Sequence, residues 1–395
     1  MLQRRSRASS TATAVSVLAV LLGACIGGGP KTGDAGADAA SGRDAGPAPF
    51  TLLPPADAGL AHATAPDAGA VVASPERGKE LYGKYCDFCH GETGKGYAAD
   101  EAPALANDDL LTIASDAYLE GAILRGRPNT TMSAWSVAAA GPIGAADAAS
   151  LVAFLRTWQT KPLALADARE VPKGDAAAGA KVWATTCASC HGKEGHGGKY
   201  NALANPELLA SASDGFLATT IEKGRAGTPM KGFGDKLSAA QVGDLVALLR
   251  SWQKPPDTIV ELPPKPGELK NVVVNPRGPQ PAFDAKADFV PVDTVKKEMD
   301  RGATMVILDA RAPGDYARMH VAGSLSVPFY DAEKYASQIP KDRFILTYCA
   351  CPHAASVKLR DALRKLGYPR VAVLDEGILA WRDRGYPVRG GPTKP

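Results

Sequence analysis

The chain has little net charge, few aromatic residues and scarcely any methionine. Its 395 residues carry a formal charge of +3, spread along the sequence. No basic run is interleaved with aromatics, so nucleic-acid binding, which needs a concentrated positive footprint, gets no support. The apolar run Thr11 to Leu22 is too short to cross a bilayer, which takes roughly 20 residues. Residues 26–73 are Ala, Gly, Asp and Pro with almost no large apolar side chains. They cannot bury enough surface to offset their ordering entropy, and the composition predicts a disordered segment. A coil of that length has a root-mean-square span of roughly 40 Å.

What precedes that segment reads as an export signal. Arg4, Arg5 and Arg7 form a positive stretch ahead of the apolar run, which closes in "LGAC", Leu22 to Cys25. This ending resembles the lipobox of bacterial lipoproteins. The resemblance implies removal of residues up to the cysteine, acylation of Cys25, and residues 26–73 as a tether. More than one acyl chain gives stable anchoring. Ile26 stands where retention at the inner membrane usually has Asp, so the resemblance implies a periplasm-facing lipid anchor, in the outer membrane rather than the inner.

Seven cysteines are present, and four fall in "CDFCH" and "CASCH", Cys86 to His90 and Cys187 to His191. Both motifs belong to a longer repeat. "GKELYGKYCDFCHGETGKG" aligns with "GAKVWATTCASCHGKEGHG", "LANDDLLTIASDAYL" with "LANPELLASASDGFL", "GRPNTTM" with "GRAGTPM", and "LVAFLRTWQTKP" with "LVALLRSWQKPP". The unit is about 90 residues, long enough for a small domain. Ser74 before Pro75 predicts an N-cap opening a helix. Leu151, Phe154, Leu155 and Trp158, and in the second copy Leu245, Leu248, Leu249 and Trp252, follow helical periodicity.

One such motif taken alone also suits a redox dithiol or half of a zinc site. Two thiols separated by two residues reach both vinyl groups of one porphyrin, and the adjacent histidine then points at the iron. Of only six methionines, Met132 and Met230 lie at matched places, 46 and 43 residues after the first cysteine of each copy. Duplication, paired methionines and an exported chain favour heme. His196, in a glycine-rich loop, is read as exposed.

Residues 74–254 resemble tandem, diheme class I cytochromes c, with domains at 74–162 and 171–254. The resemblance implies two covalently attached hemes c. Cys86 and Cys89 would hold the first, with His90 and Met132 as axial ligands of its iron. Cys187, Cys190, His191 and Met230 would hold the second. Histidine–methionine ligation raises the potential, which implies electron transfer with redox partner proteins, another cytochrome or a sulfur-oxidising enzyme. Gly78 with Tyr82, and Gly179 with Trp183, match the family's contact between first and last helices. Pro103 matches the proline beside the proximal histidine, where the second copy has Asn201.

Residues 255–285 are proline-rich and read as a semi-rigid spacer. Beyond them "MVILDA" (305–310), "FILTY" (344–348) and "VAVL" (371–374) predict buried parallel strands. Between the last two, Ala355, Leu359, Ala362, Leu363 and Leu366 form a helical stripe ending at Gly367. The loop "CACPHAA" therefore runs from the carboxyl end of a strand to a helix N-terminus, where ligands bind in open α/β sheets. Cys349 has the better position for a nucleophile, with an inert buried thiol as the alternative.

Residues 286–391 resemble a single-domain rhodanese, through "VILDARAPGDYARMHVAGSLSVPF", "YC" and "DEGILAWRDRGYPV". The resemblance implies that Cys349 accepts sulfane sulfur as a persulfide and passes it to a thiophilic acceptor, with small sulfur compounds as ligands. Cys351 is a possible second thiol, and His353 is the candidate anion contact in a loop whose closing residues are Ala354 and Ala355. His320 is read as fixing a turn. The expected architecture is multidomain: two all-α cytochrome c domains and one α/β rhodanese-like domain with a parallel sheet. Three functions stay open on the sequence. Sulfur chemistry at Cys349 feeds electrons to the hemes, the α/β domain is a docking module without turnover, or Cys349 and Cys351 form a redox dithiol.

Overall fold

In each repeat polar N-caps open most of the helices, and glycine closes the second and the fourth. The computed structural model describes residues 73–99, 101–255, 269–350 and 353–390. The first repeat contains α1 (Pro75–Tyr85), α2 (Asp87–His90), α3 (Asp108–Leu111), α4 (Asp116–Arg125) and α5 (Ala145–Arg156). The second repeats them as α6 (Ala176–Thr186), α7 (Ala188–His191), α8 (Pro206–Ser211), α9 (Asp214–Lys223) and α10 (Ala239–Ser251). Caps are matched: Ser74 accepts from Arg77 N and Asp175 from Ala178 N, while Ser115 and Ser213 cap α4 and α9. Gly126 and Gly224, with φ of +63° and +67°, end α4 and α9 in a backbone region that side chains disfavour.

First and last helices cross at glycine. A Cβ on Gly78 would stand 2.0 Å from Ser150 O, and one on Gly179 would stand 2.2 Å from Asp244 O, so no larger residue lets the pairs close. At the same crossing the Tyr82 and Trp158 rings meet edge to face at 5.2 Å, and Trp183 and Trp252 at 4.9 Å. Trp158 and Trp252 lie just past the ends of α5 and α10, although the periodicity carries the stripes on to them. Arginine clamps, which the periodic reading passed over, fix each last helix to the middle of its repeat. Arg156 donates to Asp116 and the Ala114 carbonyl, and Arg250 to Asp214 and the Ala212 carbonyl.

The repeats meet through a pseudo-twofold seam. Asn107 caps α3 and donates its amide to Ala226 O at 2.9 Å; Asn205 caps α8 and donates to Pro128 O at 2.9 Å. Tyr118 and Phe216, equivalent positions, face each other at 4.6 Å, with Arg127 and Arg225 over their rings. Arg125 crosses the seam to the buried Glu207 at 2.8 Å.

The C-terminal part is an α/β domain. Its elements are β1 (Phe289–Val290), α11 (Val292–Asp300), β2 (Val306–Asp309), α12 (Pro313–Arg318), β3 (His320–Val321), β4 (Leu325–Ser326), α13 (Ala332–Ala336), β5 (Ile345–Tyr348), α14 (Ala354–Lys365), β6 (Val371–Leu374), α15 (Gly377–Asp383) and β7 (Val388–Arg389). The main sheet is parallel in the order β1-β6-β5-β2-β4, and β3 pairs antiparallel with β7. Successive strand residues serve two cores: Val306 and Leu308 face the side of Leu359 and Leu363, while Ile307 and Leu346 face that of Ile378 and Trp381.

Two features were not expected. From Leu269 on, the proline-rich stretch adds to the α/β domain: Val274 exchanges backbone hydrogen bonds with Met305, and Phe283 packs on Phe344 at 5.0 Å. The α/β domain also docks on the first repeat. Phe88, between the two cysteines of its motif, meets Phe329 at 5.2 Å, and Tyr85 meets Tyr330 at 5.3 Å. Lys358 lies 4.3 Å above the Phe88 ring and 3.6 Å from Asp87. The core on the α14 side of the sheet is thereby continuous with that of the repeats.

The second motif has Ala188 and Ser189 where the first has Asp87 and Phe88. Writing them into the first, as Asp87→Ala with Phe88→Ser, removes an aromatic pair and a cation–π contact, about 1–2 kcal/mol together. Small-angle scattering should show a larger radius of gyration for the double variant, and an unchanged profile contradicts the docking contact.

Candidate functional site

Cys86 ends α1 and caps α2, and Cys187 does the same between α6 and α7. His90 N and His191 N donate to the carbonyls of Cys86 and Cys187, at 3.0 and 3.1 Å, closing one helical turn. First cysteine, second cysteine and histidine thus stand at i, i+3 and i+4, on one face.

Each imidazole is held from behind. His90 Nδ1 donates to Pro103 O at 2.8 Å and His191 Nδ1 to Asn201 O at 2.9 Å. With the proton on Nδ1, each neutral ring keeps its Nε2 lone pair for a metal. Burial pushes both imidazoles below their usual pKa, against the pull of the backbone carbonyl, which favours that neutral form. The residue expected to matter, proline, is replaced in the second copy without loss, because the contact is made by the main-chain carbonyl. Tyr82 and Trp183 each donate to the glycine carbonyl after the motif, Gly91 at 2.6 Å and Gly192 at 3.1 Å.

The methionine loops are pinned alike. Arg127 N donates to Met132 O and Arg225 N to Met230 O, both at 2.8 Å, while Met132 N and Met230 N each reach a threonine hydroxyl at 3.2 Å. In the second repeat Cys187, His191 and Met230 line one cavity with Trp183, Leu203, Ile221, Phe233, Leu245 and Leu249. The aligned residues of the first repeat are Cys86, His90, Met132, Tyr82, Leu105, Ile123, Trp135, Leu151 and Leu155. An apolar slot with thiols, an imidazole and a thioether at its walls fits a heme c. Burial also pushes the Cys86 thiol up to about 12 and Cys187 up to about 11. That is opposite to the acidified thiol of a redox dithiol, whereas a thioether bond needs no resident thiolate. His196 is exposed, 3.7 Å from Glu194.

In the α/β domain Cys349 follows β5 and is 2% exposed, its Sγ 3.3 Å from Ser356 Oγ in the first turn of α14. Thr347 Oγ1 donates to Ser356 O at 2.9 Å, and Ile378 N donates to Cys349 O at 3.0 Å. Below the loop Arg311 grips Asp309 through two bonds of 2.9 and 2.6 Å and donates to Met319 O. Burial opposes the Arg311 charge, but the Asp309 carboxylate raises its pKa overall and keeps it protonated. His320 stacks on Tyr316 at 3.8 Å, with Nδ1 on Tyr316 O at 2.8 Å, in the turn-fixing position.

His353 donates Nε2 to Asp375 at 3.0 Å and its ring meets Phe289 at 4.5 Å. The carboxylate lies in the loop after β6, and only tertiary contact reveals it as the partner of His353. Cys351, Cys25 and residues 26–72 of the tether lie outside the described residues. Among the described residues no helix is long and apolar enough to cross a membrane, and no group of three or more His, Cys, Asp or Glu side chains is placed to hold a metal ion.

Residues 291–384 match the family model described as rhodanese-like domain, and residues 73–155 and 174–249 that described as cytochrome c oxidase, cbb3-type, subunit III. A sulfurtransferase of Allochromatium vinosum is 33% identical over 84 residues, 21% of this chain and 78% of that protein. The cbb3-type cytochrome c oxidase subunit FixP of Bradyrhizobium sp. is 29% identical over 167 residues, 38% of this chain; the chain spans about half, 52%, of that relative's length. Among solved structures, a chain of the Kuenenia stuttgartiensis reducing HAO-like protein complex matches at 23% identity, covering 45% of this chain and 96% of that one, with a TM-score of 0.33.

Since a main-chain carbonyl holds His191, Asn201→Pro should leave the absorption spectrum and the potential of a heme bound in this slot unchanged. A shift in either would show that the asparagine side chain positions the ligand.

Proposed function

The chain belongs to the rhodanese-like family through residues 291–384, behind two cytochrome c-type domains, and on that premise we propose that it is a lipid-tethered diheme electron carrier whose Cys349 holds sulfane sulfur. The observation that carries the heme half is the identical build of both repeats: attachment turn, carbonyl-held imidazole and pinned methionine loop. Cys86 and Cys89, and Cys187 and Cys190, would bind the porphyrins, with His90, Met132, His191 and Met230 on the irons. Bound there, heme c supplies one-electron redox chemistry. The chain's own part is to exclude water with the apolar walls and to keep the imidazole tautomer fixed, so that ligand geometry changes little as charge changes.

At Cys349 the thiolate would attack the outer sulfur of a donor. The donor's sulfur–sulfur bond breaks, Cys349 becomes a persulfide, and the donor leaves with the electron pair as a thiolate or sulfite. An acceptor thiolate then takes the outer sulfur and restores the Cys349 thiolate. Ser356, 3.3 Å away, supports the thiolate through its hydroxyl. Acylation of Cys25 and the segment after it would tether the protein to the periplasmic side of a membrane, the outer one by the residue at Ile26.

A second reading is favoured by one observation, the seating of Phe329 and Lys358 on the first attachment turn. Under it the α/β domain is a docking module without turnover.

Met132→Ala and Met230→Ala should each lower the potential of one heme and leave the other in place, since methionine ligation raises it. Redox titration of both variants checks this, and two unmoved potentials would remove the methionines from the irons. Incubation with thiosulfate or a low-molecular-weight persulfide followed by mass spectrometry should find one added sulfur at Cys349. Cys349→Ser should find none. A wild-type protein that never gains sulfur leaves the docking reading standing alone.

A further inference from the structure

The two attachment faces have the same backbone and opposite surroundings. In the first repeat the face is occupied by the α/β domain: Asp87 and Phe88 meet Lys358 and Phe329, Trp135 lies 6.4 Å from Phe329, and Ser133 donates to Asp315. The same four positions in the second repeat are Ala188, Ser189, Phe233 and Lys231. There Ser189, Cys190 and Lys231 are exposed, where the equivalent Phe88 and Cys89 of the first face are half-buried and Ser133 is 8% exposed.

Charge has diverged in the same sense. Residues 74–162 hold eleven acids against eight lysines and arginines, and residues 171–254 hold seven against ten. Beside the ligands the change is toward positive charge: Glu92, two residues after His90, becomes Lys193, and the uncharged Ser133, next to Met132, becomes Lys231. Lys193 and Lys231 are exposed and make no ion pair among the described residues, whereas Glu194 beside Lys193 faces His196 at 3.7 Å.

We propose that the face of the second repeat around Ser189, Cys190, Lys193 and Lys231 is the port at which this protein docks an external redox protein, and that the partner presents an acidic surface there. The α/β domain fills the equivalent face of the first repeat and so leaves the second as the outward one. The open face lacks the phenylalanine and aspartate that hold the internal module, which keeps that module from docking at the wrong repeat. Exposed, unpaired lysines beside both predicted ligands give the steering charge that transient redox encounters use. This inference rests on the diheme reading above.

The test uses the mature full-length protein and poly-L-aspartate as an acidic probe, by calorimetry at low and physiological salt. A carbodiimide coupling then joins probe carboxylates to the lysines they touch. Binding should weaken with salt, and the coupled lysines should include Lys193 and Lys231. Lys193→Glu with Lys231→Ser installs the residues that the first repeat carries at these places, so the fold tolerates them, and the c-type absorption of both hemes verifies it. The double variant should bind roughly tenfold more weakly. Equal binding by variant and wild type, or coupling confined to lysines elsewhere, overturns the port. Loss of c-type absorption already in the wild type overturns the diheme reading instead, a distinct failure.

Discussion

A single turn of helix, Cys86 to His90, is the constraint around which the molecule is arranged. Its backbone hydrogen bonds put two thiols and an imidazole on one face. A carbonyl thirteen residues on then fixes the ring. The opposite side of the turn presents Asp87 and Phe88, and these seat the α/β domain. The proposed cofactor attachment and the domain assembly would therefore share five residues. Loss of the turn's geometry would disturb the slot and the docking face together.

The second repeat carries the same turn with only part of that surface. It keeps Cys187, Cys190 and His191, with the same carbonyl support. In place of Asp87 and Phe88 it has Ala188 and Ser189, small and uncharged. The pseudo-twofold seam, with one asparagine from each repeat capping a helix and reaching into the other's methionine loop, holds the copies in one arrangement. One copy can then hold the module while the other stays open. Specificity comes as much from what Ala188 and Ser189 omit as from what Phe88 provides.

Much of this was legible in sequence because it is local. Ser74 and Pro75 mark a helix start whatever surrounds them, and the apolar runs at 305–310, 344–348 and 371–374 read as buried strands, which form over 306–309, 345–348 and 371–374. Thiol spacing and the matched methionines are likewise local patterns. What sequence did not reveal is non-local or main-chain. Asn201 stands where a proline was expected to matter, yet the contact belongs to its carbonyl. Asp375 is 22 residues from His353 and meets it only after β6 returns beside β5. The clamps of Arg156 and Arg250 were written in both copies of "LR-x-W-Q", but their carbonyl partners lie some forty residues away. Docking was hidden because Phe88 between two cysteines has no periodicity to betray a partner. The stretch from Leu269 looked like spacer because prolines mask strand pattern, although Val274 still pairs with Met305.

The central claim is that each C-x-x-C-H turn carries its own covalently bound porphyrin. Intact mass spectrometry of the mature protein under denaturing conditions tests it most directly, since only covalent heme survives unfolding. The account predicts a mass raised by two heme units, one mapping to the peptide with Cys86 and Cys89 and one to that with Cys187 and Cys190. A bare polypeptide mass, or a single heme unit, would contradict it.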